Sequence, residues 1–134
     1  MTIVADASAI GEYLLRTSRA PAVERLVGPR DVGLHVPALC DVEVTAILRR
    51  ALRLRLLTEE RARLAATHYL RLPFTRHGHT LLVARMLDLR ENFSPYDAAY
   101  VALAERLRAQ LLTADERLAR AVRRHTSLVL VPVA

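Results

Sequence analysis

Apolar residues along this chain fall into two patterns: short unbroken runs, and longer stretches where they recur every three or four positions. "TIVAD", "GLHVP", "AQLLTAD" and "SLVLVPV" are of the first kind and read as strands, the second of them stopped by Pro37. "SAIGEYLLR", "APAVERLVG", "ALCDVEVTAILRRALRLRLL", "EERARLAATHYLRL", "TLLVARMLDLRE", "FSPYDAAYVALAERL" and "ERLARAVRRH" are of the second kind and read as helices. In the third helix Cys40, Val44, Ile47, Leu48 and Ala51 make one stripe. Gly28 closes the second helix, Thr58 caps the fourth, and the fourth ends near Pro73. "RHGH", with His77 and His79, reads as a turn.

Strands separated by helices, too far apart for hairpins, predict an α/β fold. The expectation is one three-layer α/β/α domain over residues 1–134, with a central, mostly parallel sheet of about four to five strands. Ligands of such sheets bind beyond the carboxyl ends of the strands, so residues at those ends matter most.

Composition narrows the chemistry. All 20 basic residues are arginine, and lysine is absent. That removes P-loop phosphate binding and Schiff-base catalysis. It also counts against haloacid-dehalogenase-like phosphatases and receiver domains, which share an aspartate after a first strand but ordinarily use a lysine later. Cys40, the single cysteine, cannot form an internal disulfide and suits a small core position in a reducing compartment. No apolar run approaches the roughly 20 residues of a membrane span and no basic leader precedes the first one, so a cytoplasmic protein is expected. The net charge of +6 favours an anionic partner.

Four acids stand out, each with a plain structural alternative. Asp6 ends the first strand and, with Ser8 beside it, can N-cap the next helix. Asp115 ends the "LLTAD" strand, where Thr113 and Glu116 can form a capping box. Glu43 has Leu39, Ala46 and Ile47 as helical neighbours, although it and Asp41 also suit a helix's first turn. Asp97 follows Ser94 and Pro95, a cap and a first helical position, and can reach back to complete the cap. Residues 98–104, however, are apolar on every side, which marks a buried helix.

Clustered carboxylates away from water stay ionised only beside a cation, and an all-oxygen set suits Mg²⁺ or Mn²⁺ rather than zinc. With those four acids set aside, 20 arginines face 10 acids, a surplus of about +10. An acidic metal pocket in a basic surface fits a phosphodiester substrate.

In their order, and in the length of the chain, "VADASAI", "VPALCDVEVTAILRR", "SPYDAAYVALAERL" and "LLTADERLARAV" resemble the PIN domain, and more narrowly the VapC toxins of bacterial toxin–antitoxin pairs. The resemblance covers nearly the whole chain. It implies that Asp6, Glu43, Asp97 and Asp115 surround a catalytic Mg²⁺ or Mn²⁺, with Ser8 and Thr113 orienting carboxylates or water. It further implies hydrolysis of structured RNA such as tRNA or rRNA by metal-activated water, a homodimer, and inhibition by a VapB-like antitoxin. A non-catalytic PIN-like binding module and a structure-specific DNA nuclease are the competing expectations. The intact acids count against the first and the small size against the second.

Three further features complete the reading. Arg117, Arg120 and Arg124, with Arg123 beside them, share a helix face that can track an RNA backbone or simply face solvent. His77 and His79 lack nearby partners for a metal site and read as polar turn residues, while Glu116 reads as a cap more than an auxiliary acid. "RRALRLRLLTEE" suits either a groove for a partner helix or core packing.

Overall fold

The computed structural model describes residues 1–133. Its sheet has five parallel strands in the order β3-β2-β1-β4-β5. They are β1 (Thr2–Ala5), β2 (Gly33–Pro37), β3 (Phe74–His77), β4 (Gln110–Leu112) and β5 (Leu130–Val131). The helices are α1 (Ala7–Leu14), α2 (Ala20–Glu24), α3 (Leu39–Arg53), α4 (Glu59–Arg71), α5 (Val83–Asp88), α6 (Pro95–Leu107) and α7 (Glu116–His125). The α/β class and parallel sheet follow the sequence expectation.

From β1 the chain adds β2 and β3 on one side, then β4 and β5 on the other. Parallel crossovers are right-handed, so this reversal sends the helices of the two halves to opposite faces. Helices α1, α2, α3 and α4 pack on one another, while α6 lies across β1, β2 and β4 with α5 against it. Gly11 permits the close approach of α1 to α3, since a Cβ there would sit 3.1 Å from the Ile47 side chain. The switch point falls between β1 and β4, and it is beyond the strand ends at such a point that sheets of this kind form their ligand crevice.

The central strands are apolar because both their faces are covered. Ile3, Val4, Val36 and Leu111 have no exposed surface. Helix α6 is buried on every side over residues 98–104, as its unbroken apolar sequence predicts. Ser94 caps it by accepting from the Asp97 amide at 3.1 Å, with Pro95 at its first position. Thr58 caps α4 in the same way, accepting from the Arg61 amide at 3.2 Å.

Four local expectations are corrected. "RHGH" is not simply a turn, because His77 belongs to β3, an edge strand with Thr75 and Arg76 exposed. An edge strand with polar outward residues lacks the apolar run that marks buried strands, so its sequence hides it. Helix α2 stops at Glu24, four residues before Gly28, whose φ of +110° serves the following turn instead. "TLLVARMLDLRE" divides into a 3₁₀ turn at Thr80–Leu82 and the short α5. β5 spans only two residues of "SLVLVPV".

Candidate active site

Asp6 follows β1 directly and is both cap and buried acid. Its Oδ1 accepts from the Ala9 amide at 3.1 Å, so it N-caps α1 as the capping alternative expects. It is nevertheless only 5% exposed. Ser8 Oγ donates to its Oδ1 and Thr113 Oγ1 to its Oδ2, each at 2.6 Å. The two hydroxyls also lie 3.2 Å apart, and Ser8 Oγ accepts from the Ala114 amide at 3.0 Å. Burial drives the Asp6 carboxyl up to about 6 against the pull of these hydrogen bonds, and the nearby Asp115 charge pushes the same way.

Asp115 ends the β4 side of the crevice. It caps α7 itself, accepting from the Arg117 and Leu118 amides at 2.9 and 3.2 Å. The expected Thr113–Glu116 capping box is therefore replaced: Thr113 Oγ1 accepts from the Asp115 amide at 3.0 Å while donating to Asp6. Asp115 fits the cap because its short side chain brings one oxygen, Oδ1, to two amides at once, and Glu116 is left exposed in the first turn.

From the opposite layers come Glu43 on α3 and Asp97 on α6. The Asp97 carboxylate does not turn back to cap its helix. Its Oδ2 accepts from Arg117 Nη2 at 3.0 Å, and the same nitrogen lies 3.4 Å from Asp115 Oδ2. The Arg117 guanidinium thus sits between two of the predicted acids. Partial burial raises the Glu43 carboxyl, and the Asp97 charge adds to that rise. Beneath it the Tyr100 hydroxyl is enclosed without a partner at hydrogen-bonding distance, with Glu43 and Cys40 the groups it faces.

The four acids are therefore linked in series: Asp6 senses Asp115, Arg117 joins Asp115 to Asp97, and Asp97 acts on Glu43. As they stand, no three His, Cys, Asp or Glu side chains converge tightly enough to grip an ion among the described residues. A cation already stands among them, though, in the form of Arg117, whose side chain is 66% exposed to solvent.

The remaining candidates separate into clear roles. Asp41 turns away from the crevice to accept from the Tyr69 hydroxyl at 2.6 Å and Arg76 Nε at 2.9 Å, tying α3 to α4 and β3. His77 Nε2 pairs with His35 Nδ1 at 2.9 Å, and His79 Nε2 accepts from the Leu39 amide at the start of α3. Cys40 is a core thiol, pushed up to about 11 by burial. Arg120 and Arg124 are exposed along α7, whereas Arg117 turns into the acids. "RRALRLRLLTEE" divides, with Ala51 in the core and Leu54 and Leu56 exposed. Leu57 lines a groove with Leu14, Leu15, Arg61 and Leu64 between α1 and α4. Sequence reasoning missed Arg19, whose Nη1 donates to the Ala114 carbonyl at 2.8 Å beside the acids. Ninety-five positions separate the two, so no local signal marks the contact.

A parallel sheet switched between β1 and β4, with acids from both layers over its carboxyl edge, is the architecture of a PIN domain. The PIN domain family model matches residues 3–124, and the chain belongs to this family. Within it, the chain is 39% identical over 133 residues to ribonuclease VapC9 of Mycobacterium tuberculosis, covering 97% of this chain and 98% of that one. It is 41% identical to ribonuclease VapC3 of the same organism, over 89% of this chain and 86% of that one. A toxin–antitoxin complex from Klebsiella pneumoniae shares the fold at a TM-score of 0.61 and 17% identity, over 98% of this chain and 99% of the matched chain.

Proposed function

We propose that this protein is an endoribonuclease toxin that cleaves structured RNA, tRNA or rRNA, with the help of Mg²⁺ or Mn²⁺. The observation that carries the reading is the series of four carboxylates over the β1–β4 crevice with a guanidinium drawn between two of them. The donor set fits a hard divalent cation: every candidate ligand is a carboxylate oxygen, and the site already attracts positive charge. Asp6, Glu43, Asp97 and Asp115 would hold the ion. When bound, such an ion polarises a phosphodiester and makes a water it holds more acidic.

The chain's own residues do the rest. Ser8 and Thr113 fix both oxygens of Asp6, so that its carboxylate meets the ion in one orientation. Thr113 couples Asp6 to Asp115 through a single hydroxyl, which holds the two strand-end acids in register. Released from the carboxylates, Arg117 can turn to a substrate phosphate, and Arg120 and Arg124 lie further along the same helix. The 3.1 Å cap on α6 and the buried flanks of residues 98–104 hold Asp97 on a rigid support.

The kinship with VapC ribonucleases supports the ribonuclease chemistry, and the shared fold with a chain of a toxin–antitoxin complex supports an antitoxin partner. The groove between α1 and α4, which sets Leu14, Leu57 and Leu64 among Arg16, Arg61 and His68, suits an amphipathic helix of a VapB-like antitoxin. A homodimer in the cytoplasm completes the proposal. Among the described residues no helix is long and apolar enough to cross a membrane.

The deciding experiment maps cleavage of total RNA with Mg²⁺ and with chelator, for the wild type and for Asp6→Ala and Asp97→Ala. The wild type should cut only with metal, and each variant should lose both cleavage and growth arrest while keeping its circular dichroism spectrum. A fully active Asp97→Ala protein ends the proposal.

A further inference from the structure

Beyond the ends of β4 and β5 lies a cavity of about 310 Å³, lined by Arg19, Thr113, Glu116, Ala119, Arg123 and residues 130–133. We infer that this cavity is a subsite for one nucleotide flanking the bond to be cut, the base resting on its apolar floor and a phosphate held by Arg19 and Arg123. The inference rests on the ribonuclease reading above.

Position supports it first. Thr113 belongs to both places, lining the cavity while its hydroxyl donates to Asp6. Glu116 follows Asp115 directly, and Arg19 is anchored on Ala114, the residue between Thr113 and Asp115. A group filling the cavity therefore borders the acids, along the carboxyl edge of the sheet where ligands of parallel folds bind.

The lining is matched to a nucleotide. Ala119, Leu130, Val131 and Pro132 offer an apolar surface for the face of a base, while two guanidiniums suit a phosphate. Arg19 is pinned through Nη1, which leaves its other donors oriented at small entropic cost. Arg123 makes no ion pair among the described residues. Glu116 is exposed in the wall and can accept from a base amino or imino group, a contact that distinguishes bases. The volume sits at the lower end of the range of about 300–1,000 Å³ for small-ligand sites, room for one nucleotide rather than a longer segment.

The test uses the full chain, with a fluorescent hexanucleotide RNA pool and Ca²⁺ in place of Mg²⁺ for binding, and total RNA with Mg²⁺ for cleavage-end sequencing. Arg123→Ala should weaken binding roughly five- to tenfold, with the loss in turnover falling on KM rather than kcat. Glu116→Gln should alter the base preference at one flanking position and leave the other positions as they were. Thermal melts of both variants check folding, and both side chains are exposed, so neither change removes a core contact. Unchanged binding with Arg123→Ala, or an unaltered base profile with Glu116→Gln, overturns the subsite even while the wild type cleaves RNA. A wild type that binds the pool but leaves total RNA uncut with Mg²⁺ instead overturns the ribonuclease reading, and the binding comparison still decides whether the cavity holds a nucleotide.

Discussion

Asp6 sets stability against chemistry within one side chain. Its folded pKa of about 6 lies above the ordinary 3.8, so the folded chain holds its proton more tightly than the unfolded one. The stability this group contributes is complete below about pH 4 and is lost as pH rises through about 6, a swing on the order of 3 kcal/mol. Metal-free wild type should therefore lose stability between pH 4 and 7 in urea titrations, and Asp6→Asn should flatten that slope and be the more stable protein at pH 7.5. An equal slope in both proteins would assign the pH dependence elsewhere. Arg117 tests the same site from the other side. On the proposed reading, Arg117→Met frees Asp97 and Asp115 and should tighten Mn²⁺ binding severalfold in calorimetry, whereas unchanged or weaker binding would show that the guanidinium does not stand in for an ion.

At the scale of elements, the start of α6 fixes both a helix and an acid. Ser94→Ala removes the 3.1 Å cap and should cost about 1 kcal/mol in denaturant unfolding. Because the cap also sets where Asp97 begins its turn, the variant should lose RNA cleavage beyond what its lower stability explains at 25 °C. Normal cleavage by a measurably destabilised protein would separate the cap from the site. Caps on α4 and α6 were legible because Ser, Thr and Pro state them within three residues of sequence. β3 was not, because its identity depends on pairing with β2, some 40 positions away, rather than on its own apolar content. Asp97 shows both limits: its place near the helix start was readable, but its partner was not, since Arg117 lies 20 positions on.

For the molecule as a whole, the surplus of arginine predicts salt-sensitive binding to RNA. Arg120 and Arg124 are exposed on the helix that starts at Asp115. Replacing both with alanine should lower the slope of log K against log salt by roughly 1.4–1.8, the release expected for two phosphate contacts. A slope unchanged from wild type would leave them as solvated surface.

What the sequence determined by itself is whatever depends on near neighbours: strands from apolar runs, helices from three- and four-residue spacing, caps from single residues, and the candidacy of four acids from their placement after strands or in apolar company. The tertiary structure decided how those acids are joined. Thr113 shares its hydroxyl between two strand ends, Arg117 bridges two layers, Asp41 is diverted to Arg76, and Arg19 reaches Ala114. The physical reason is range: backbone preference acts over a few residues, whereas charge, burial and hydrogen bonding act over a few ångströms of space. The reversal of strand order at β1 is what sets Asp6 and Asp115 beyond neighbouring strand ends, 109 positions apart in sequence.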